Sequence, residues 1–91
     1  MNLLSDAEIG QRMVKLPDWI RVDQRIERRF NFVDFDALMG FINGVAAIAR
    51  EQDHHPEVQF AYSNCTVSYT THSAGGLTAK DFAAAARVNE L

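Results

Sequence analysis

Apolar and polar residues alternate with a period of two in four short segments, a period typical of β-strands with one buried face. The clearest example is 25–32, where apolar residues and one arginine share a face, and charged or amide side chains take the other. The shared face holds Ile26, Arg28, Phe30 and Phe32. The pattern predicts strands over 19–22, 25–32, 58–62 and 65–71, with turns at 23–24 and 63–64.

Apolar residues at helical spacing fill the segment between the second and third strands. They are Leu38, Phe41, Ile42, Val45, Ile48 and Ala49. Asp34 or Asp36 is placed to cap this helix, which is predicted to run to about Glu51. Gly40 and Gly44 lie within it and cost about 1 kcal/mol each relative to alanine. Their spacing favours a close approach by the sheet or by another helix.

Two shorter helices are predicted from capping residues near the ends of the chain. Ser5 and Glu8 have the spacing of a capping box, which predicts a helix over about 6–15. Thr78 and Asp81 repeat this spacing and predict the start of the last helix. The apolar residues placed as a hydrophobic staple around this cap are Leu77 and Phe82.

The predicted order is helix, two strands, helix, two strands, helix (α-β-β-α-β-β-α). Strands joined by short turns pair antiparallel. The order therefore predicts an α+β fold, a single four-stranded antiparallel sheet with three helices packed on one face. We expect 1–91 to form one domain. The other sheet face, to which we assign aromatic and apolar residues, is a candidate subunit interface.

Composition and charge narrow the class of protein. The chain is 47% apolar, but no run approaches the roughly 20 apolar residues that a membrane-spanning helix needs. A net charge of −3 does not indicate the basic surface that nucleic-acid binding requires. Cys65 is the only cysteine, which excludes an intrachain disulfide, and the N-terminal segment lacks the pattern of a signal peptide. We therefore expect a cytoplasmic protein that binds neither nucleic acid nor membranes.

The segment Asp53–Pro56, DHHP, contains two of the three histidines of the chain. Its proline excludes a continuing helix, so the pair lies between the long helix and the third strand. A hairpin turn at 63–64 would place His72, the third histidine, opposite His55. We therefore expect the three imidazoles to converge at one end of the sheet.

Three roles are open to such histidines. A histidine pair after a helix can simply cap its C-terminus, where the helix dipole favours a cation. Metal binding is disfavoured, because adjacent residues rarely point at one ion and Cys65 lies far along the strands from His55 and His72. General acid–base catalysis fits best, because histidine takes and gives protons near neutral pH. No activated serine or cysteine nucleophile accompanies the histidines, so a dehydration or a tautomerisation suits them.

His54-His55-Pro56 is followed by Tyr62, His72 and Asp81 at a spacing that resembles the motif of the pterin-4a-carbinolamine dehydratases. Similarity extends to Trp19 and to the segments LSDAE, FNFVDFDALMGFINGVA and TTHSAGGLTAKD. The resemblance implies the fold predicted above. It also implies loss of water from 4a-hydroxytetrahydropterin to give quinonoid dihydropterin, which recycles the pterin of aromatic amino acid hydroxylases. It implies neither a metal nor a bound cofactor.

The same resemblance implies which residues act. The catalytic residues carried over from the family are His54, His55 and His72. The substrate-binding residues carried over are Asp53, His54, His55, Thr70, Thr71, His72 and Ser73. We expect His54 and His72 to carry protons and His55 to orient the substrate.

Three residues near this motif also have structural interpretations. Asp81 belongs to the family motif, but its spacing from Thr78 favours capping over catalysis. Tyr62 is interpreted as a packing residue. Asp53 either orients a histidine or ends the long helix.

The resemblance further implies a homodimer or homotetramer, and it leaves other functions open. Some family members also act as dimerisation partners of a transcription factor, so a non-catalytic binding or regulatory protein is the alternative. Arg50 stands where the family commonly has an acid, with Glu51 one place later, and Val58 replaces a common aromatic residue. These departures are consistent with a regulatory subunit that has lost activity. A metal-binding protein would instead contain stoichiometric zinc.

Overall fold

A computed structural model describes residues 2–91, which form three helices and one four-stranded antiparallel sheet in the predicted order. The helices are α1 (Asp6–Met13), α2 (Phe35–Gln52) and α3 (Ala79–Val88). The strands are β1 (Ile20–Val22), β2 (Arg25–Asn31), β3 (Glu57–Ala61) and β4 (Asn64–Tyr69), in the spatial order β1-β2-β4-β3. The predicted α+β class is confirmed. Within this range no helix is long and apolar enough to cross a membrane.

The hairpin of β3 and β4 turns one residue earlier than the sequence predicted. Tyr62 and Ser63 form the turn, and Tyr62 takes a left-handed conformation with φ of 42°. Val58 therefore pairs with Val67 instead of Tyr69. Because side chains alternate between faces with a period of two, this shift of the partner by two residues keeps each side chain on its predicted face.

Strand β2 explains the earlier turn. Asn64 pairs with Asn31 of β2, so it belongs to the ladder and is not available for the turn. The ladder between β3 and β4 begins at Glu57. The prediction that His55 lies opposite His72 across the sheet is therefore wrong.

The two faces of the sheet differ in polarity. The inner face lies in the hydrophobic core with the helices, and its buried residues are Ile26, Cys65, Val67 and Tyr69. The outer face has a depression of about 200 Å³ lined by Arg25, Glu27, Glu57, Gln59, Thr66 and Ser68. On the central strands β2 and β4 the residues that alternate with the buried ones are polar, so the prediction of an aromatic and apolar outer face is wrong there. On the edge strand β1, Ile20 pairs with Glu27 and keeps an exposed apolar side chain on this face.

Exposed apolar side chains lie instead at the edge of the sheet and near the start of α2. Phe60 of the edge strand β3 is 52% exposed, and Tyr62 in the turn is 81% exposed. Val33 and Phe35 are also exposed. The interpretation of Tyr62 as a packing residue is therefore wrong within this chain.

The start of α2 and its two glycines resolve two questions that the sequence left open. Asp34 is the cap, because its side chain accepts the N–H of Ala37 at 2.8 Å. A Cβ at Gly44 would lie 2.9 Å from Cδ2 of Leu91, whereas a Cβ at Gly40 would meet no atom within 4 Å. A close approach thus occurs at Gly44, but the neighbour is Leu91 and not, as the sequence predicted, the sheet or another helix.

We predict that alanine stabilises the fold more at Gly40 than at Gly44. Gly40→Ala should raise the free energy of unfolding by about 0.5–1 kcal/mol, because alanine favours the helix and the exposed site has room for a methyl group. Gly44→Ala should gain less, since its methyl group displaces Leu91. Urea denaturation of both variants at one protein concentration tests this, and a less stable Gly40→Ala protein would contradict it.

Candidate active site

One cavity of about 280 Å³ opens where the end of α2 meets the segment after β4. Its lining contains every residue that the sequence predicted to bind substrate. These residues are Asp53, His54, His55, Thr70, Thr71, His72 and Ser73. The lining also includes Lys80 of α3, which sequence reasoning missed, and its Nζ donates to the carbonyl of Asp53 at 3.4 Å.

The end of α2 gives the two adjacent histidines different environments. Asp53 takes the left-handed conformation (φ 49°, ψ 47°), and its N–H and that of His54 both bond to the carbonyl of Ala49. After this bend, His54 is only 9% exposed, whereas His55 is exposed. Of the two interpretations of Asp53, the structure supports the one in which it ends the helix.

The third histidine lies on a closed turn rather than at the end of a strand. β4 ends at Tyr69, earlier than the predicted Thr71. The carbonyl of Thr71 accepts the N–H groups of Gly75 and Gly76 at 3.0 and 3.3 Å. Gly75 has a φ of 79°, a conformation that glycine adopts without strain. The turn leaves His72 exposed at the cavity.

Asp81, wholly buried at the start of α3, connects the walls of the cavity. Its Oδ1 lies 2.6 Å from Nε2 of His54. Its Oδ2 accepts the N–H of Thr78 and the hydroxyl of Thr71, both at 2.9 Å. The predicted capping box is confirmed. The contact with His54 was missed, because no local pattern reports a contact between residues 27 positions apart.

The acceptors of this network determine where its hydrogens lie. A carboxylate only accepts hydrogen bonds, so the hydrogen between Asp81 and His54 belongs to Nε2. By the same rule Thr71 donates to Asp81, and in the 2.8 Å contact between hydroxyls Thr78 must donate to Thr71. The neutral imidazole of His54 therefore has its lone pair on Nδ1, and proton exchange with a ligand is confined to that atom.

The ring of Tyr69 stacks on the imidazole of His54, with centroids 5.7 Å apart and an interplanar angle of 13°. Tyr69 is wholly buried, and within residues 2–91 its hydroxyl has no hydrogen-bond partner. Burial, and to a smaller degree the negative charge of Asp81, raises the pKa of Tyr69 to about 12. The ring against His54 is therefore a neutral phenol at physiological pH.

Glu51, the acid that follows Arg50 in sequence, is engaged elsewhere. Glu51 accepts a hydrogen bond from Arg87 at 3.0 Å and does not line the cavity. Arg50 lies with His55 on a second, more apolar cavity of about 330 Å³. The carboxylate that contacts a histidine of the pair is instead that of Asp81 in α3, which bonds to His54. Among the described residues, no group of three or more His, Cys, Asp or Glu side chains is placed to hold a metal ion.

The sequence model of the pterin 4 alpha carbinolamine dehydratase family matches residues 2–91. A relative from Picosynechococcus sp., named "Putative pterin-4-alpha-carbinolamine dehydratase", is 42% identical over 97% of this chain and 96% of its own. A relative of the same name from Chloroflexus aurantiacus is 41% identical over 100% of this chain and 98% of its own.

Solved structures that are similar to this chain include the following two. A transcriptional coactivator/pterin dehydratase from Brucella melitensis has a TM-score of 0.91 and 36% identity, over 96% of this chain and 95% of that one. A pterin dehydratase-like protein described as a RuBisCO assembly factor in the α-carboxysome has a TM-score of 0.65. Its identity is 22%, over 79% of this chain and 83% of that one, which shows a shared fold alone.

We predict that Asp81→Asn reverses the tautomer of His54. The position of Oδ2 faces two donors, so the amide oxygen must take it, and the amide NH₂ then donates to Nε2 of His54. Neutral His54 would then carry its hydrogen on Nδ1. Two-bond ¹H–¹⁵N NMR of the histidine ring at alkaline pH measures this.

Asp53→Asn is the matched control, since Asp53 also lines the cavity but its carboxylate makes no hydrogen bond within residues 2–91. It should leave the tautomer of His54 unchanged. A folded Asp81→Asn protein that keeps its hydrogen on Nε2 would contradict the assigned network.

We predict that Tyr69 makes the fold less stable at alkaline pH. In the unfolded chain a tyrosine loses its proton near pH 10, whereas the folded protein retains that of Tyr69 up to about pH 12. The contribution is therefore fully present below pH 10 and is lost as pH rises from 10 to 12. Urea denaturation should show a shallower fall for Tyr69→Phe over this range, and equal slopes would contradict the assignment.

Proposed function

The chain belongs to the pterin 4 alpha carbinolamine dehydratase family, and we propose that it removes water from a 4a-hydroxytetrahydropterin to give quinonoid dihydropterin. The observation that carries this proposal is the single cavity lined by His54, His55 and His72. Its volume of about 280 Å³ is near the lower end, about 300 Å³, of ordinary ligand pockets, which suits a small flat bicycle.

The three histidines differ in a way that suits a reaction with two proton transfers. His54 is buried and its Nε2 is engaged by Asp81, so Nδ1 is the nitrogen left to exchange a proton. His55 and His72 are exposed to the cavity and to solvent, where they can exchange protons with water. General acid–base catalysis needs one group that gives a proton and another that takes one, and each transfer typically contributes about 10²–10⁴-fold.

The proposed reaction is an elimination across C4a and N5 of the pterin. One histidine, as imidazolium, gives a proton to the C4a hydroxyl, the C4a–O bond breaks, and water leaves. The N5–H electron pair forms the C4a=N5 double bond while a second, neutral histidine takes the N5 proton. We assign these transfers to His54, through Nδ1, and His72, and we assign orientation of the substrate to His55. Exchange with solvent restores both histidines.

We assign substrate binding to polar groups of the cavity that are not engaged in hydrogen bonds within the protein. The hydroxyl of Thr71 donates to Asp81 and that of Thr70 donates to the carbonyl of Gln24 at 2.6 Å. We therefore propose that the threonines of the 70–73 segment bind the pterin through their backbone. The hydroxyl of Ser73 makes no hydrogen bond within residues 2–91 and can bind the ligand directly. Asp53, at the end of α2, also lines the cavity.

The alternative is a binding or regulatory role, and it has one specific support. The Brucella protein, 36% identical to this chain, is described as a transcriptional coactivator as well as a pterin dehydratase. Exposed apolar residues at the sheet edge and the start of α2 suit contact with another chain. That chain can be a second copy of this protein, in the homodimer or homotetramer that we propose. These exposed residues are Val33, Phe35, Phe60 and Tyr62.

Stopped-flow absorbance with chemically generated 4a-hydroxytetrahydropterin tests the proposal. Wild-type protein should accelerate dehydration, and His54→Ala and His72→Ala should each lower kcat by about 10²–10⁴-fold, since each loses one proton transfer. His55→Ala should mainly raise KM. Gln59→Ala, on the outer face of the sheet, should match the wild type. If folded wild-type protein gives no acceleration, the dehydratase proposal fails and the binding alternative is favoured.

A further inference from the structure

We propose that Tyr69 is a positioning residue for His54: its buried ring, stacked on the imidazole, holds Nδ1 in the direction of the cavity. Tyr69 does not line the cavity, so it acts only through His54. The stack itself does not depend on the proposed function. Its consequence for catalysis rests on that function.

The bond to Asp81 restrains the imidazole at one point only. Oδ1 of Asp81 restrains the distance to Nε2 at 2.6 Å, but one distance does not fix both side-chain torsions of His54, χ1 and χ2. A coupled change of the two torsions can keep this hydrogen bond and tilt the ring, which moves Nδ1, the atom that exchanges the proton. A second contact is needed to fix the tilt of the ring.

Tyr69 supplies that second contact. Its ring lies nearly parallel to the imidazole, at 13° and 5.7 Å between centroids, which is the geometry of an offset stack. A tilt of the imidazole out of this near-parallel arrangement would drive one edge of the ring into the phenol. The bond and the stack together therefore leave the imidazole one orientation.

The phenol ring is itself held rigidly. Tyr69 is wholly buried, and its backbone pairs with Ile26 in the middle of the sheet. Its ring also packs on Trp19, with centroids 6.1 Å apart. Trp19 is fixed in turn by a 2.8 Å hydrogen bond from its Nε1 to Asn89. His54 is thus held by contacts with the sheet, through Tyr69, as well as with α3, through Asp81.

The hydroxyl of Tyr69 plays no part in this role. It has no hydrogen-bond partner within residues 2–91, so phenylalanine would keep the stack and remove no contact to His54. Leucine at this position would remove the flat surface. The pair Tyr69→Phe and Tyr69→Leu therefore separates the ring from the hydroxyl.

The kinetic test compares these variants in the dehydration assay. Tyr69→Leu should lower kcat by about 10- to 100-fold, because a misplacement of about 1 Å at a reacting group can cost 10²-fold. Its KM should stay within about threefold, since the residues that bind substrate are unchanged. Tyr69→Phe should restore kcat to within about threefold of the wild type.

Val67→Ala controls for general loss of packing. Val67 is wholly buried on the same face of β4 and does not line the cavity. This variant should be less stable than the wild type but should keep its kcat. If Val67→Ala and Tyr69→Leu lose kcat equally, or if folded Tyr69→Leu keeps kcat, the positioning role is overturned. An equal loss in Tyr69→Phe would assign the effect to the hydroxyl and would also overturn it.

An NMR measurement separates failure of this inference from failure of the proposed function. Relaxation of the ¹³C-labelled ring of His54 should show a rigid imidazole in the wild type and in Tyr69→Phe, and a mobile one in Tyr69→Leu. If the wild type lacks dehydratase activity but shows this pattern, the function fails and the positioning role stands. A rigid imidazole in folded Tyr69→Leu would overturn the positioning role whatever the activity.

Discussion

The carboxylate of Asp81 is removed from water, and a charged group in that situation is stable only if hydrogen-bond donors surround it. Here the donors come from three parts of the chain. His54 follows α2, Thr71 follows β4, and the N–H of Thr78 begins α3. Because the buried charge is stabilised by all three donors together, the carboxylate holds the ends of α2 and β4 against the start of α3.

This constraint explains why the cavity has the composition it has. Thr71 cannot leave Asp81 without leaving a buried hydroxyl and a buried carboxylate short of a partner, so the turn that carries His72 stays against α3. His54 is drawn inward by the same carboxylate, while its neighbour His55 remains exposed. One buried carboxylate thus produces a buried imidazole of defined tautomer beside two imidazoles in contact with solvent, a set suited to moving two protons.

Helix capping and site chemistry share atoms in this protein. Oδ2 of Asp81 completes the cap of α3, and Oδ1 of the same group holds His54. A residue assigned to local helix stability can therefore also set the tautomer of a candidate catalytic group. Capping, the preferred prediction for Asp81, is confirmed, but it does not describe all of its contacts, because the two oxygens of the carboxylate face different neighbours.

The sequence by itself determined the order of elements, the α+β class and the residues that gather at the cavity. Periods of two and of about 3.6 residues, and capping pairs three residues apart, are local signals, and the resemblance to a family motif added the segments 53–55 and 70–73. Only the tertiary structure decided the register of the β3–β4 hairpin, because β2 competes for Asn64 and moves the turn. It also decided the polarity of the outer face, the exposure of Tyr62, and the contacts of His54 with Asp81 and Tyr69. Those contacts join residues far apart in the chain, and their geometry follows from how the packed elements meet, which no local pattern records.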